Sequence, residues 1–109
     1  MSSKKIKDFM VLMVTVSTLK EAKKIAQALL TKKEAACVNI IKDITSFFHW
    51  KGKVQGASEV LLIIKGKKDI FNKMLKTIKN HHSYTVPEII ALPIIAADKP
   101  YLRWLDEVN

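Results

Sequence analysis

The stretch FMVLMVTVSTLKEAKKIAQALL, residues 9–30, decides the fold. Its first eight residues, Phe9 to Val16, are almost uniformly apolar and carry three valines and a threonine. A short apolar run rich in β-branched side chains reads as a strand covered on both faces. Thr18 followed by Glu21 is a capping-box pattern, with the hydroxyl placed to accept an orphan helical N–H. Beyond it Ala22, Ile25, Ala26, Leu29 and Leu30 recur at helical spacing, while Lys20, Lys23, Lys24 and Gln27 face away. That spacing predicts an amphipathic helix to about Lys33.

The same alternation of elements returns downstream. AACVNII (residues 35–41) reads as a second strand. TSFFHWKGKV (45–54) is aromatic and turns at Lys51-Gly52-Lys53, so with EVLLIIK (59–65) it predicts a long hairpin. Ile70, Phe71, Met74, Leu75 and Ile78 share one face of a second helix over Lys67 to Asn80. EIIALPII (88–95) is a fourth strand, and its Pro93 cannot donate to a ladder, which implies a bulge or an edge. Asp98 caps a short last helix that has Pro100 in its first turn. Strand–helix–strand, repeated and followed by a small helix, folds with right-handed crossovers into an α+β, ferredoxin-like split βαβ sandwich. Residues 9–109 are expected to form one domain behind a flexible tail at residues 1–8.

Two helices cover one face of such a sheet, yet Phe9 to Val14, Val60 to Ile64 and Glu88 to Ile95 lack polar alternation. Self-association is the economical way to cover the second face. Composition narrows the rest. The chain has 109 residues, 49% apolar and 27% charged, with three Gly and three Pro, which excludes disordered and collagen-like classes. Its apolar runs are far shorter than the ~20 residues of a membrane span. One cysteine, Cys37, forbids an internal disulfide, and a reducing, cytoplasmic setting is expected. The net charge is +9, but Arg103 is the one arginine. Lysines scattered over most surface segments solvate a protein, whereas specific nucleic-acid reading favours arginine.

His81 and His82 close the second helix, where imidazoles ordinarily serve as solvated or capping groups at the negative dipole end. The alternative is a divalent-metal site for copper, zinc or nickel, with Glu88 supplying an oxygen. Adjacent histidines point in different directions, which weighs against both ligating one ion. Cys37 in a strand ordinarily acts as a small hydrophobe. Phe47, Phe48, His49 and Trp50 beside a turn suit an interface, or else the wall of a small-molecule pocket. There is no nucleophile elbow, Walker loop or dinucleotide fingerprint, so no catalytic constellation is readable.

Read in order, Ala35-Ala36-Cys37-Val38-Asn39-Ile40, Ser46 with Trp50 and Gly52-Lys53-Val54, Glu59, His82-Ser83-Tyr84-Thr85-Val86-Pro87-Glu88-Ile89-Ile90 and Tyr101-Leu102-Arg103-Trp104-Leu105 resemble the CutA family of divalent-cation tolerance proteins. The resemblance runs from Phe9 to Leu105, although Ser83 stands where the family usually has proline, and Val14 where some relatives carry cysteine. It implies a non-enzymatic homotrimer and a copper-tolerance role. It also implies metal binding by His81 and His82, with Glu88 as a further ligand, and cleft or interface roles for Cys37, Ser46, Trp50, Tyr84 and Trp104. Two other functions stay open: a module resembling the trimeric PII signalling proteins, holding a small anion between subunits, and a protein-interaction scaffold.

Overall fold

The computed structural model describes residues 6–108. The elements are β1 (Phe9–Val16), α1 (Leu19–Thr31), β2 (Cys37–Trp50), β3 (Lys53–Lys67), α2 (Phe71–His81), β4 (Ile89–Pro93) and α3 (Lys99–Val108). Of the expected tail, residues 1–5 lie outside the described residues and Ile6–Asp8 form a 3-10 turn. The strands build one antiparallel sheet in the order β2-β3-β1-β4. β1 and β2 therefore run parallel through the α1 crossover, and β3 and β4 run parallel through α2.

Alternation sorts the side chains. Leu12, Val14 and Val16 of β1 and Val60, Leu62 and Ile64 of β3 are buried beneath Ile25 and Leu29 of α1 and Met74 and Ile78 of α2. Each such side chain stabilises the fold by about 1.5–3 kcal/mol on burial. The Thr18 hydroxyl accepts the Glu21 N–H at 3.2 Å, so α1 begins where the capping pattern places it. The helix stops two residues before the expected Lys33, which lies past the end at φ +56°.

Three other boundaries differ from the sequence reading. β2 does not end at Ile41; it runs on to Trp50 through a bulge between Ile41 and Ile44, and the polar pair Lys42-Asp43 that looks like a break is the bulge itself. α2 begins at Phe71 rather than Lys67, because Lys67 is held in the sheet opposite Phe9 and Lys68–Ile70 form a 3-10 turn. β4 is confined to Ile89–Pro93; Pro93 ends a strand at the sheet edge, where a missing N–H is tolerated. α3 starts as expected, with the Asp98 carbonyl accepting the Leu102 N–H.

The second face is covered only at one end. There α3 seals Phe9 and Ala36 with Leu105, and Lys67 pairs with Asp106 at 3.8 Å. Towards the middle Met13, Leu61 and Ile63 are half-buried, and Ile90 is 49% exposed. Beyond Glu59 the β2–β3 hairpin leaves the sheet altogether. β1 pairs β3 only over Val60–Lys67, so Ile44–Trp50 and Lys53–Glu59 have only each other as ladder partners among the described residues. This two-stranded arm stretches the molecule to 51 Å against 26 and 23 Å in the other directions. It exposes Phe47 by 76% and Val54 by 67%.

Candidate functional site

The loop after α2 is anchored by His82. Its Nε2–H donates to the Thr15 carbonyl at 2.8 Å, and its Nδ1 accepts the Tyr84 N–H at 3.1 Å. These partners assign the neutral Nε2–H tautomer. The imidazole is fully buried, with the Glu21 carboxylate 3.5 Å from Nδ1. That carboxylate accepts the Ser83 N–H at 3.1 Å. Glu21 thus ties the loop to α1 instead of closing the reciprocal half of a capping box.

Tyr84 then reaches the sheet. Its hydroxyl donates to Glu59 Oε2 at 2.7 Å. Burial, followed by this hydrogen bond and the charges of Glu59 and Glu21, pushes the phenol from 10 up to about 12, so it remains a donor at neutral pH. Glu59 opens the apolar part of β3 and is only 7% exposed. No ion-pair partner faces it among the described residues.

Glu59 and Tyr84 lie in an open groove of about 670 Å³ whose walls include Ser46, Phe48, Trp50 and Glu88. The β2 bulge makes this grouping possible. Upstream of it Cys37, Asn39 and Ile41 share a face with Lys65, Ile63 and Leu61; downstream Ile44, Ser46, Phe48 and Trp50 join that same face. Strict alternation would put these even-numbered residues on the opposite side.

The expected site residues thus fall into separate places. Ser46, Trp50, Tyr84 and Glu88 meet in the groove. His82 lies behind it with both nitrogens bonded inside the chain, and His81 is exposed at the end of α2. Cys37 and Trp104 belong to the α3 end of the sheet. There Cys37 Sγ is 4.0 Å from Lys65 Nζ and 3.8 Å from Asn39 Oδ1, and the ring of Tyr101 lies 5.6 Å from that of Trp104. No group of three or more His, Cys, Asp or Glu among the described residues can hold a metal ion, so His81, His82 and Glu88 do not form a cage within one chain. Sequence reasoning placed Glu21 only in the cap of α1 and gave Glu59 no role. An acid opening an otherwise apolar strand was the available signal for Glu59; nothing local pointed Glu21 at a loop 62 residues away.

A four-stranded antiparallel sheet with two crossover helices on one face, a long hairpin arm and a third helix defines a class of small mixed α/β proteins. The particular family follows from the sequence: residues 10–108 match the CutA1 divalent ion tolerance protein family, and the chain belongs to it. The divalent-cation tolerance protein CutA of Thermus thermophilus is 43% identical over 97 residues, covering 89% of this chain and 94% of the relative. The CutA of Archaeoglobus fulgidus is 46% identical over 94 residues, 86% of this chain and 91% of that protein. Mouse protein CutA is 43% identical over 96 residues, 88% of this chain but 54% of its own length. The chain thus spans about half the length of the mouse relative, as it does of the chloroplastic Arabidopsis thaliana protein, of which it covers 52%. The solved structure of the periplasmic divalent cation tolerance protein CutA from Archaeoglobus fulgidus superposes with a TM-score of 0.88 at 43% identity, over 92% of this chain and 97% of that one. The family's description names a tolerance protein and no reaction. No helix among the described residues is long and apolar enough to cross a membrane.

Proposed function

We propose that this chain is a cytoplasmic, non-enzymatic divalent-cation tolerance protein that acts as a homotrimer of ferredoxin-like subunits and binds transition metal ions, copper among them. The observation that carries the assembly is the arm: a two-stranded ribbon exposing Phe47, Trp50 and Val54 beside a half-covered sheet face. An isolated ribbon is marginal in water, and apolar surface of this extent calls for a partner. The strand order β2-β3-β1-β4 with two crossover helices suits the split βαβ plan, and the number three rests on the family resemblance.

For the metal, exposed His81 and Glu88 are the donors with free lone pairs, whereas His82 would first have to release Thr15 or Tyr84. A fuller ligand set therefore takes water or groups from a second copy. The groove's charge supports a cation over the small anion of a PII-like module: Glu59 and Glu88 line it, and among the described residues its lining holds no lysine or arginine. Calorimetric titration with copper(II) of the parent, His81→Ala and Glu88→Gln is the test, alongside sedimentation. Weakened binding in both variants and a trimer mass are expected. Unchanged isotherms remove these residues from the site, and a stable single subunit removes the assembly.

A further inference from the structure

Once the chain is folded, its lysines are not spread evenly. Residues 19–34 and 68–81, the two crossover helices and their ends, carry nine lysines against three acids, and so six of the chain's nine net positive charges. The acids are turned inward to other work. Glu21 accepts the Ser83 N–H and Glu34 accepts the Thr77 hydroxyl at 2.6 Å, which leaves Asp69 as the exposed acid of the layer. Lys20, Lys23 and Lys24 on α1 and Lys73, Lys76 and Lys79 on α2 are all exposed, and no ion pair engages any of them among the described residues. Within each helix they recur three or four residues apart, a spacing at which like charges repel and weaken the helix. A surface serving solubility alone intersperses the two signs. This one is complementary to an extended anionic surface, and it lies on the side of the sheet away from the half-covered face.

The same helices separate the anionic partners. Neither carries arginine, tyrosine or tryptophan, and Phe71 packs against the core, so base edges find no bidentate reader and bases no stacking platform. The helices lie side by side, with Lys32 Nζ of one end reaching Thr77 Oγ1 of α2 at 3.4 Å. A phosphate backbone is a narrow rod that follows one row of lysines, whereas a planar surface meets both rows together. From this arrangement we infer that the α1–α2 face docks on an anionic lipid bilayer. The lysine ammonium groups meet its phosphate and acidic headgroups, and no segment inserts. The inference goes beyond the metal-binding reading and uses none of its donors.

Co-sedimentation with vesicles tests it, in EDTA so that no metal bridges protein and lipid. The parent is expected to pellet with vesicles of equal parts phosphatidylglycerol and phosphatidylcholine, to stay in solution with phosphatidylcholine alone, and to be released by rising sodium chloride. Two triple variants, Lys20→Gln/Lys23→Gln/Lys24→Gln and Lys73→Gln/Lys76→Gln/Lys79→Gln, should each bind at least about tenfold more weakly. Both should melt no lower than the parent, because each relieves like-charge repulsion. Lys42→Gln/Lys53→Gln/Lys99→Gln removes equal charge away from the helices and should lose far less. Absence of binding to the anionic vesicles, or equal losses from all three triple variants, overturns the docking face. So does retention of random-sequence duplex DNA by a parent that ignores the vesicles, because the face then serves a nucleic-acid backbone.

Discussion

At the level of single residues, the loop from His82 to Glu88 is held by bonds that span the chain. Tyr84 loses its hydrogen bond to Glu59 on substitution by Phe, and a cost of about 1–3 kcal/mol is expected in urea unfolding. The pH dependence has a definite sign. The phenol is at about 12 in the folded protein against 10 when unperturbed, so its contribution is complete below about pH 10 and is lost as pH rises from there through 12. The stability gap between parent and Tyr84→Phe should therefore narrow over that window, and a gap that widens would contradict the assignment. Lys33 offers the opposite case. At φ +56° a lysine is strained, and Lys33→Gly should raise stability by about 1 kcal/mol by thermal denaturation. The sequence flagged His82 and Tyr84, but their partners Thr15, Glu21 and Glu59 lie far away along the chain. Periodicity reports only local neighbours, so the network was not legible.

Among the elements, type and order were readable because each carries its own repeat: apolar runs for β1 and β3, 3.6-residue stripes for α1 and α2. The continuity of β2 was not, since a bulge places two residues against one and breaks the alternation that would reveal it. Two glycines separate the causes of boundary precision. Gly52 sits with Lys51 in the two-residue hairpin turn, both at positive φ (+77° and +50°), and no atom lies within 4 Å of an added Cβ. Gly52→Ala should thus cost about 1–2 kcal/mol from backbone strain alone. At Gly66 an added Cβ would meet the Glu34 carbonyl oxygen at 2.9 Å and Met74 Cε at 3.2 Å. Because the first of these is backbone, Gly66→Ala should cost at least as much through displacement of the segment between α1 and β2, about 1–3 kcal/mol. Urea midpoints of the two variants, read beside the exchange rates of the arm and core amides, distinguish the two. Gly52→Ala should loosen the arm alone, and Gly66→Ala the core.

For the whole molecule, the half-covered sheet face sets stability against concentration. Ile90 is exposed in one chain, so Ile90→Lys should leave the subunit fold intact while lowering the sedimenting mass. A parent that melts at a temperature independent of dilution, or an Ile90→Lys protein of unchanged mass, would deny that this face is shared. The sequence signalled the surplus of apolar residues, but the hairpin's departure from the sheet at Glu59 is a matter of three-dimensional register and could not be read from it. That departure leaves Lys51 and Lys53 at the outermost tip of a ribbon with no third strand among the described residues. Trypsin should consequently nick this peptide quickly in a lone copy and slowly once neighbours clasp it, so the rate of a single proteolytic cut becomes a clock for how long the copies stay together.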